Sequence, residues 1–117
     1  MIDRAFANQF AENWVAAWNS HDLDRILSLY ADDFSMQSPL IATIANEPSG
    51  RLVGKPAVAE YWGAALKGLP DLQFQLIDVL LGADSIALYY QGHSGPVVEV
   101  FTFDHDGRVT TGSAHYA

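Results

Sequence analysis

The chain has 117 residues, half of them hydrophobic and 12% aromatic, enough for one domain with a sizeable core and too few for two. A net charge of −8 and a pI near 4.6 set it against nucleic acid and anionic membrane surfaces, whose phosphates would repel it. With no cysteine, it cannot form disulfides, thiolate zinc sites or cysteine nucleophiles.

The first predicted element is a helix from about Asp3 to Asn19. Phe6, Phe10, Trp14 and Trp18 recur every four residues, with Ala7, Ala11 and Val15 as an adjacent stripe. Such a ring-bearing face suits a helix that closes one side of a cavity, and equally one packed into ordinary core. The amphipathic pattern starts at once, without a signal peptide's basic-then-apolar layout. No apolar run approaches the ~20 residues of a membrane span. A soluble, cytoplasmic protein is the expectation.

Asp22 is a good N-cap for a second helix, Leu23 to Ala31, with Leu23, Ile26, Leu27 and Tyr30 turned inward. Asp32 and Asp33 end it as a solvated terminus, and Phe34 to Gln37 reads as a short strand stopped by Pro39. Within Leu40 to Gly50, Ile41 and Ile44 could pair as a hairpin ahead of the turn-forming Asn46-Glu47-Pro48-Ser49-Gly50. A third helix runs from Pro56 to about Lys67, with proline at its first position and Gly68 just past its end.

Four strand-like runs follow: Leu72 to Leu81, Ser85 to Gln91, Pro96 to Phe103 and Arg108 to Tyr116. The separators between them are short and rich in glycine, and such turns join antiparallel neighbours, so the runs form a meander. Three helices followed by a meander give an α+β fold, helices on one face of a sheet.

The segment from Trp14 through Asp24, continuing as Leu29-Tyr30-Ala31-Asp32-Asp33-Phe34, resembles the opening of the NTF2-like superfamily and its SnoaL-like and ketosteroid isomerase-like members. Gly54-Lys55-Pro56-Ala57-Val58 is similar to that family's start of helix three, and Val98 to Phe103 with Gly107-Arg108-Val109 to its last hairpin. The resemblance spans nearly the whole chain. It implies a cone-shaped curved antiparallel sheet packed against three N-terminal helices around an apolar pocket, and a homodimer. It does not single out a function, because the fold hosts isomerases, cyclases, dehydratases, hydrolases and adaptors.

A ketosteroid isomerase needs a carboxylate base, an oxyanion-binding tyrosine on helix one and a protonated acid on the penultimate strand. The matching positions here hold Ser38, Trp14 and Glu99. An indole N–H can donate a hydrogen bond, but a serine cannot serve as the base near neutral pH. Steroid isomerase activity is therefore not expected.

Glu99 is the most informative residue. Its neighbours Val97, Val98, Val100 and Phe101 make both faces of its strand apolar, so its carboxyl is expected to be buried with a raised pKa. It is the candidate acid or base, or else a paired structural carboxylate or one at a dimer rim. The candidate pocket lining is Trp14, Trp18, Tyr30, Met36, Ser38, Trp62, Phe101 and Tyr116. Ser38 could orient a ligand or bond the backbone beside Pro39. His21, His93 and His105 fall in predicted turns, where solvation is expected, and His115 on the outer face of the last strand. No histidine pairing at i, i+4 and no glycine-rich phosphate motif is present, so no metal or cofactor is expected.

The expected partner is a small, largely apolar molecule, bound for proton-transfer chemistry or held without catalysis; a protein-binding adaptor is the third option. Val98, Val100 and Thr102 add an apolar outer stripe that the helices cannot cover, which points to a homodimer through that face.

Overall fold

Asp3 opens the chain's first helix by accepting the Phe6 N–H at 2.8 Å, the usual remedy for unpaired amides at a helix start. The computed structural model describes residues 1–117. Helix α1 spans Arg4–Ser20 and α2 Leu23–Leu27, followed by strand β1 (Tyr30–Gln37), α3 (Pro39–Ile44), β2 (Arg51–Val53) and α4 (Lys55–Gly68). Strands β3 (Gln75–Leu81), β4 (Ser85–Gln91), β5 (Pro96–Phe103) and β6 (Val109–Tyr116) complete the chain. No helix is long and apolar enough to cross a membrane.

The six strands form one open, mixed sheet in the order β2-β1-β6-β5-β4-β3. The meander β3 to β6 is antiparallel as expected, and β1 joins it by running parallel to β6. Helix α1 packs against β3 and α4 against β1. Between helices and sheet lies an aromatic core in which Phe10 meets Phe101 and Phe103 edge-on, and Trp14 stacks on Phe74.

Three local expectations need correction. The second helix ends at Leu27, not Ala31, and Tyr30 and Ala31 already belong to β1. Pairing of Tyr30 with Val109 and burial of Tyr30 and Phe34 outweigh the helical propensity of four further residues. Asp32 and Asp33 then fall in a register shift of β1 and face solvent, where Asp32 meets Lys55 at 3.3 Å.

The segment after Pro39 is a helix rather than a hairpin. Ser38 caps α3 by accepting the Leu40 N–H at 3.1 Å, and Pro39 sits at its first position. Ile41 is buried and Ile44 exposed, so the apolar spacing reflects one inward contact and not a strand pair. Asn46, at φ 54°, turns the chain toward β2, which pairs antiparallel with β1.

His21 is not a free turn residue. It closes α1 in the left-handed region at φ 60°, and its Nε2 bonds the Leu72 carbonyl at 2.8 Å. Beside it, the Asn19 amide both accepts from the Phe74 N–H at 2.7 Å and donates to the Phe74 carbonyl at 3.0 Å. Together these contacts hold residues 72–74 to the end of α1, which is why β3 starts at Gln75 and not at Leu72.

Candidate functional site

The site follows from the pleat of the sheet. Side chains alternate along each strand, so the helix-facing set on β5 is Val97, Glu99 and Phe101, and on β6 Gly112 and Ala114 with Tyr116. Glu99 stands opposite Leu88 of β4 on one side and Ala114 of β6 on the other. The small residues on β6 leave the floor low, and a Cβ added at Gly112 would come within 3.1 Å of Met36 Sδ.

Above this floor lies a cavity of about 370 Å³ with a predominantly hydrophobic lining. Trp14 and Trp18 of α1, Tyr61 and Trp62 of α4, Phe74, and Tyr90 of β4 form its aromatic walls. At one end the β4–β5 turn, Gly92-His93-Ser94-Gly95, contributes to the lining. Its Gly92 N–H bonds the Gly95 carbonyl at 2.8 Å.

Glu99 is the only carboxylate side chain of the lining and is 4% exposed. Tyr90 donates its hydroxyl to Glu99 Oε1 at 2.7 Å. Burial pushes the Glu99 carboxyl up to about 7, against the Tyr90 hydrogen bond, which favours the ionised form. Burial in turn holds the Tyr90 phenol well above its ordinary range, with the Glu99 charge adding to the effect. The arrangement is a carboxyl that exchanges its proton near neutral pH beside a phenol that stays protonated.

Trp14 lines the cavity with its ring, but its N–H is spent: Nε1 donates to the Tyr30 hydroxyl at 3.0 Å. It cannot act as a free donor in place of an oxyanion-binding tyrosine. Trp18 Nε1 is buried without an acceptor, its ring edge-on to Trp62.

Of the candidate residues, Glu99, Trp14, Trp18, Met36, Ser38, Trp62 and Tyr116 line the cavity. Tyr30 and Phe101 do not. Tyr30 is fully buried between Phe34 and Trp62 with its hydroxyl under Trp14. Phe101 shares the face of Glu99 but is sealed by Phe10 and Trp14. Both residues are core.

The sequence reading missed Tyr90, Tyr61, Phe74 and Leu40. Tyr61 has the spacing of an ordinary core residue on its helix, and the Tyr90 partnership depends on a cross-strand diagonal that alternation alone does not specify. The Tyr61 phenol is pushed up to about 12, first by burial and then by neighbouring Tyr116; Tyr116 is raised too, chiefly by burial. Ser38 adjoins both phenols. No three His, Asp or Glu side chains gather closely enough to share a metal ion.

Residues 11–111 match the SnoaL-like domain. A SnoaL-like protein of unknown function from Burkholderia thailandensis is 55% identical in sequence, with a TM-score of 0.97 over 99% of this chain and 98% of its own. The epoxide hydrolase/cyclase-like enzyme SalBIII, with a role in pyran ring formation in the polyether salinomycin, is 14% identical with a TM-score of 0.79 over 100% and 95%. A candidate isomerase of the SnoaL-like family from Agrobacterium tumefaciens is 17% identical with a TM-score of 0.73 over 94% and 96%. With its α+β architecture and a family match over most of its length, the chain belongs to the SnoaL-like domain family.

Proposed function

We propose that the protein binds a small, largely apolar molecule in the aromatic cavity and moves a proton on it through Glu99, in a reaction of the isomerase, cyclase or dehydratase type. The observation that carries this reading is the single buried carboxyl on the cavity wall, hydrogen-bonded by Tyr90 and poised at about 7. Near neutral pH both forms of Glu99 are populated, so it can give a proton to a ligand oxygen or take one from an acidic carbon. Tyr90 keeps the carboxyl oriented in either state. The isomerase and cyclase descriptions of distant structural neighbours are compatible with such chemistry. Steroid isomerisation is not part of the proposal, because Ser38 and Trp14 supply neither the base nor the free donor.

Deuterium wash-in tests the proposal. A bicyclic ketone such as decalone, incubated with the protein in heavy water, should gain deuterium next to its carbonyl faster than in buffer, and Glu99→Gln should abolish the gain. A wild-type rate equal to buffer, with binding intact, would favour a second reading: a non-catalytic binding module. That reading draws on Glu99 having the Tyr90 hydroxyl as its one side-chain hydrogen-bond partner.

The same proposal includes a homodimer through the outer sheet face. Val98, Val100 and Thr102 are half-buried there, beside the exposed Tyr89, Ile77 and Leu80.

A further inference from the structure

The helix-facing row that contains Glu99 does not end at β5. Met36 of β1 registers with Gly112 and Gln37 with Ser113, so Ser38, still extended at φ −161°, comes beside Ala114. Ala114 in turn pairs with Glu99. Ser38 and Glu99 therefore stand on one face two strand spacings apart, about 10 Å between backbones, with only a methyl group between them. A molecule lying across Ala114 would meet both.

Ser38 is 5% exposed yet lines the cavity. Its oxygen accepts the Leu40 N–H, and its own O–H adjoins the Tyr61 and Tyr116 phenols. Tyr61 of α4 and Tyr116 of β6 bring their hydroxyls to the same region, and both line the same cavity. Three hydroxyls thus converge opposite the Glu99–Tyr90 pair, and Glu99 is the only carboxylate side chain of the lining.

We infer that Ser38, Tyr61 and Tyr116 form a second oxygen-binding point, so that the cavity takes an apolar molecule carrying a neutral oxygen at each of two ends, one on Glu99 and one on the hydroxyl cluster. This rests on the reading of the cavity as a ligand site and narrows its substrate class to bifunctional molecules such as diketones, hydroxyketones or lactones. Neutral oxygens fit because the cluster only needs an acceptor, while an anion would lie in the field of Glu99 and of a protein of net charge −8. A purely hydrocarbon ligand would leave the hydroxyl cluster with no acceptor beyond its own members.

The test compares decalone with a decalindione whose two carbonyls lie at opposite ends, by isothermal titration calorimetry. Tryptophan fluorescence gives a second readout, since all three tryptophans line the cavity. The dione is expected to bind the wild-type protein roughly tenfold more tightly than the monoketone, the value of one good neutral hydrogen bond. In the Tyr61→Phe/Tyr116→Phe double variant, which keeps both rings and the fold, that ratio should fall to about one. Ser38→Ala should reduce it as well, with circular dichroism confirming that α3 survives loss of its cap. Equal binding of the two probes to wild type, or a ratio that persists in all variants, overturns the second binding point alone. Failure of both probes to bind at millimolar concentration overturns the ligand-cavity reading and this inference with it.

Discussion

Tyr90 and Glu99 meet on a diagonal: Tyr90 pairs across the ladder with Val97, two residues before Glu99, and its phenol reaches over to Glu99 Oε1 at 2.7 Å. The contact sets two effects against each other. Burial favours the neutral acid, the phenol's proton favours the carboxylate, and burial prevails.

Removing the phenol's proton should therefore move the Glu99 pKa further up. In Tyr90→Phe the carboxyl should titrate above about 7, read by carbon NMR of a selectively labelled glutamate. A lower value would mean that the bond does not favour the ionised form. The stability cost should be about 1 kcal/mol, that of one buried hydrogen bond.

Glu99 also makes stability depend on pH with a definite sign. Its folded pKa, about 7, lies above the ordinary 4.5, so the folded state holds the extra proton between these values. The contribution is complete below about 4.5 and is lost as pH rises through 7. At about 1.4 kcal/mol per unit the loss totals about 3 kcal/mol. Urea unfolding at stepped pH should show this decline in wild type and a flatter profile in Glu99→Gln, whose amide does not titrate. Parallel profiles would place Glu99 in a less buried setting.

Tyr30→Phe separates stability from binding. It strips the buried Trp14 N–H of its acceptor and should cost about 1–3 kcal/mol. Because Tyr30 does not line the cavity, decalone affinity should stay within about twofold, the allowance for an uncontacted site. A large loss of affinity with unchanged stability would place the hydroxyl in the cavity.

The outer face offers the fourth test. Sedimentation at micromolar concentration should give a dimer, and Val100→Glu, which sets a charge amid the apolar stripe, should give a folded monomer. A wild-type monomer would leave that face without a partner copy.

The parts of the fold legible in the sequence were those with a long, uniform period. Rings every four residues marked α1, and apolar runs bounded by glycine-containing turns marked β4 and β5 at their observed bounds. The parts that were not legible depend on distant partners. Tyr30 reads as the last inward residue of a helix until Val109 is there to pair with it. Ile41 and Ile44 suggested a strand, although Ser38-Pro39 carried the stronger local instruction, a cap followed by a helix-starting proline. At the site, Glu99 stood out as an acid in an apolar run. Which rings reach the cavity and which stop behind it is a matter of depth, and period-2 alternation gives the same answer for Phe101 as for Glu99.

The parallel pairing of β1 with β6 imposes an order on assembly. Strand β6 lies between β1 and β5, so the two N-terminal strands have no sheet to join until the last strand has formed. As the chain leaves the ribosome, β1 and β2 must wait while the whole meander is synthesised, with Tyr30, Phe34 and Met36 unsheltered in the interval. Any truncation that removes β6 would cut the sheet in two at its middle and release the first hairpin, rather than fray one edge.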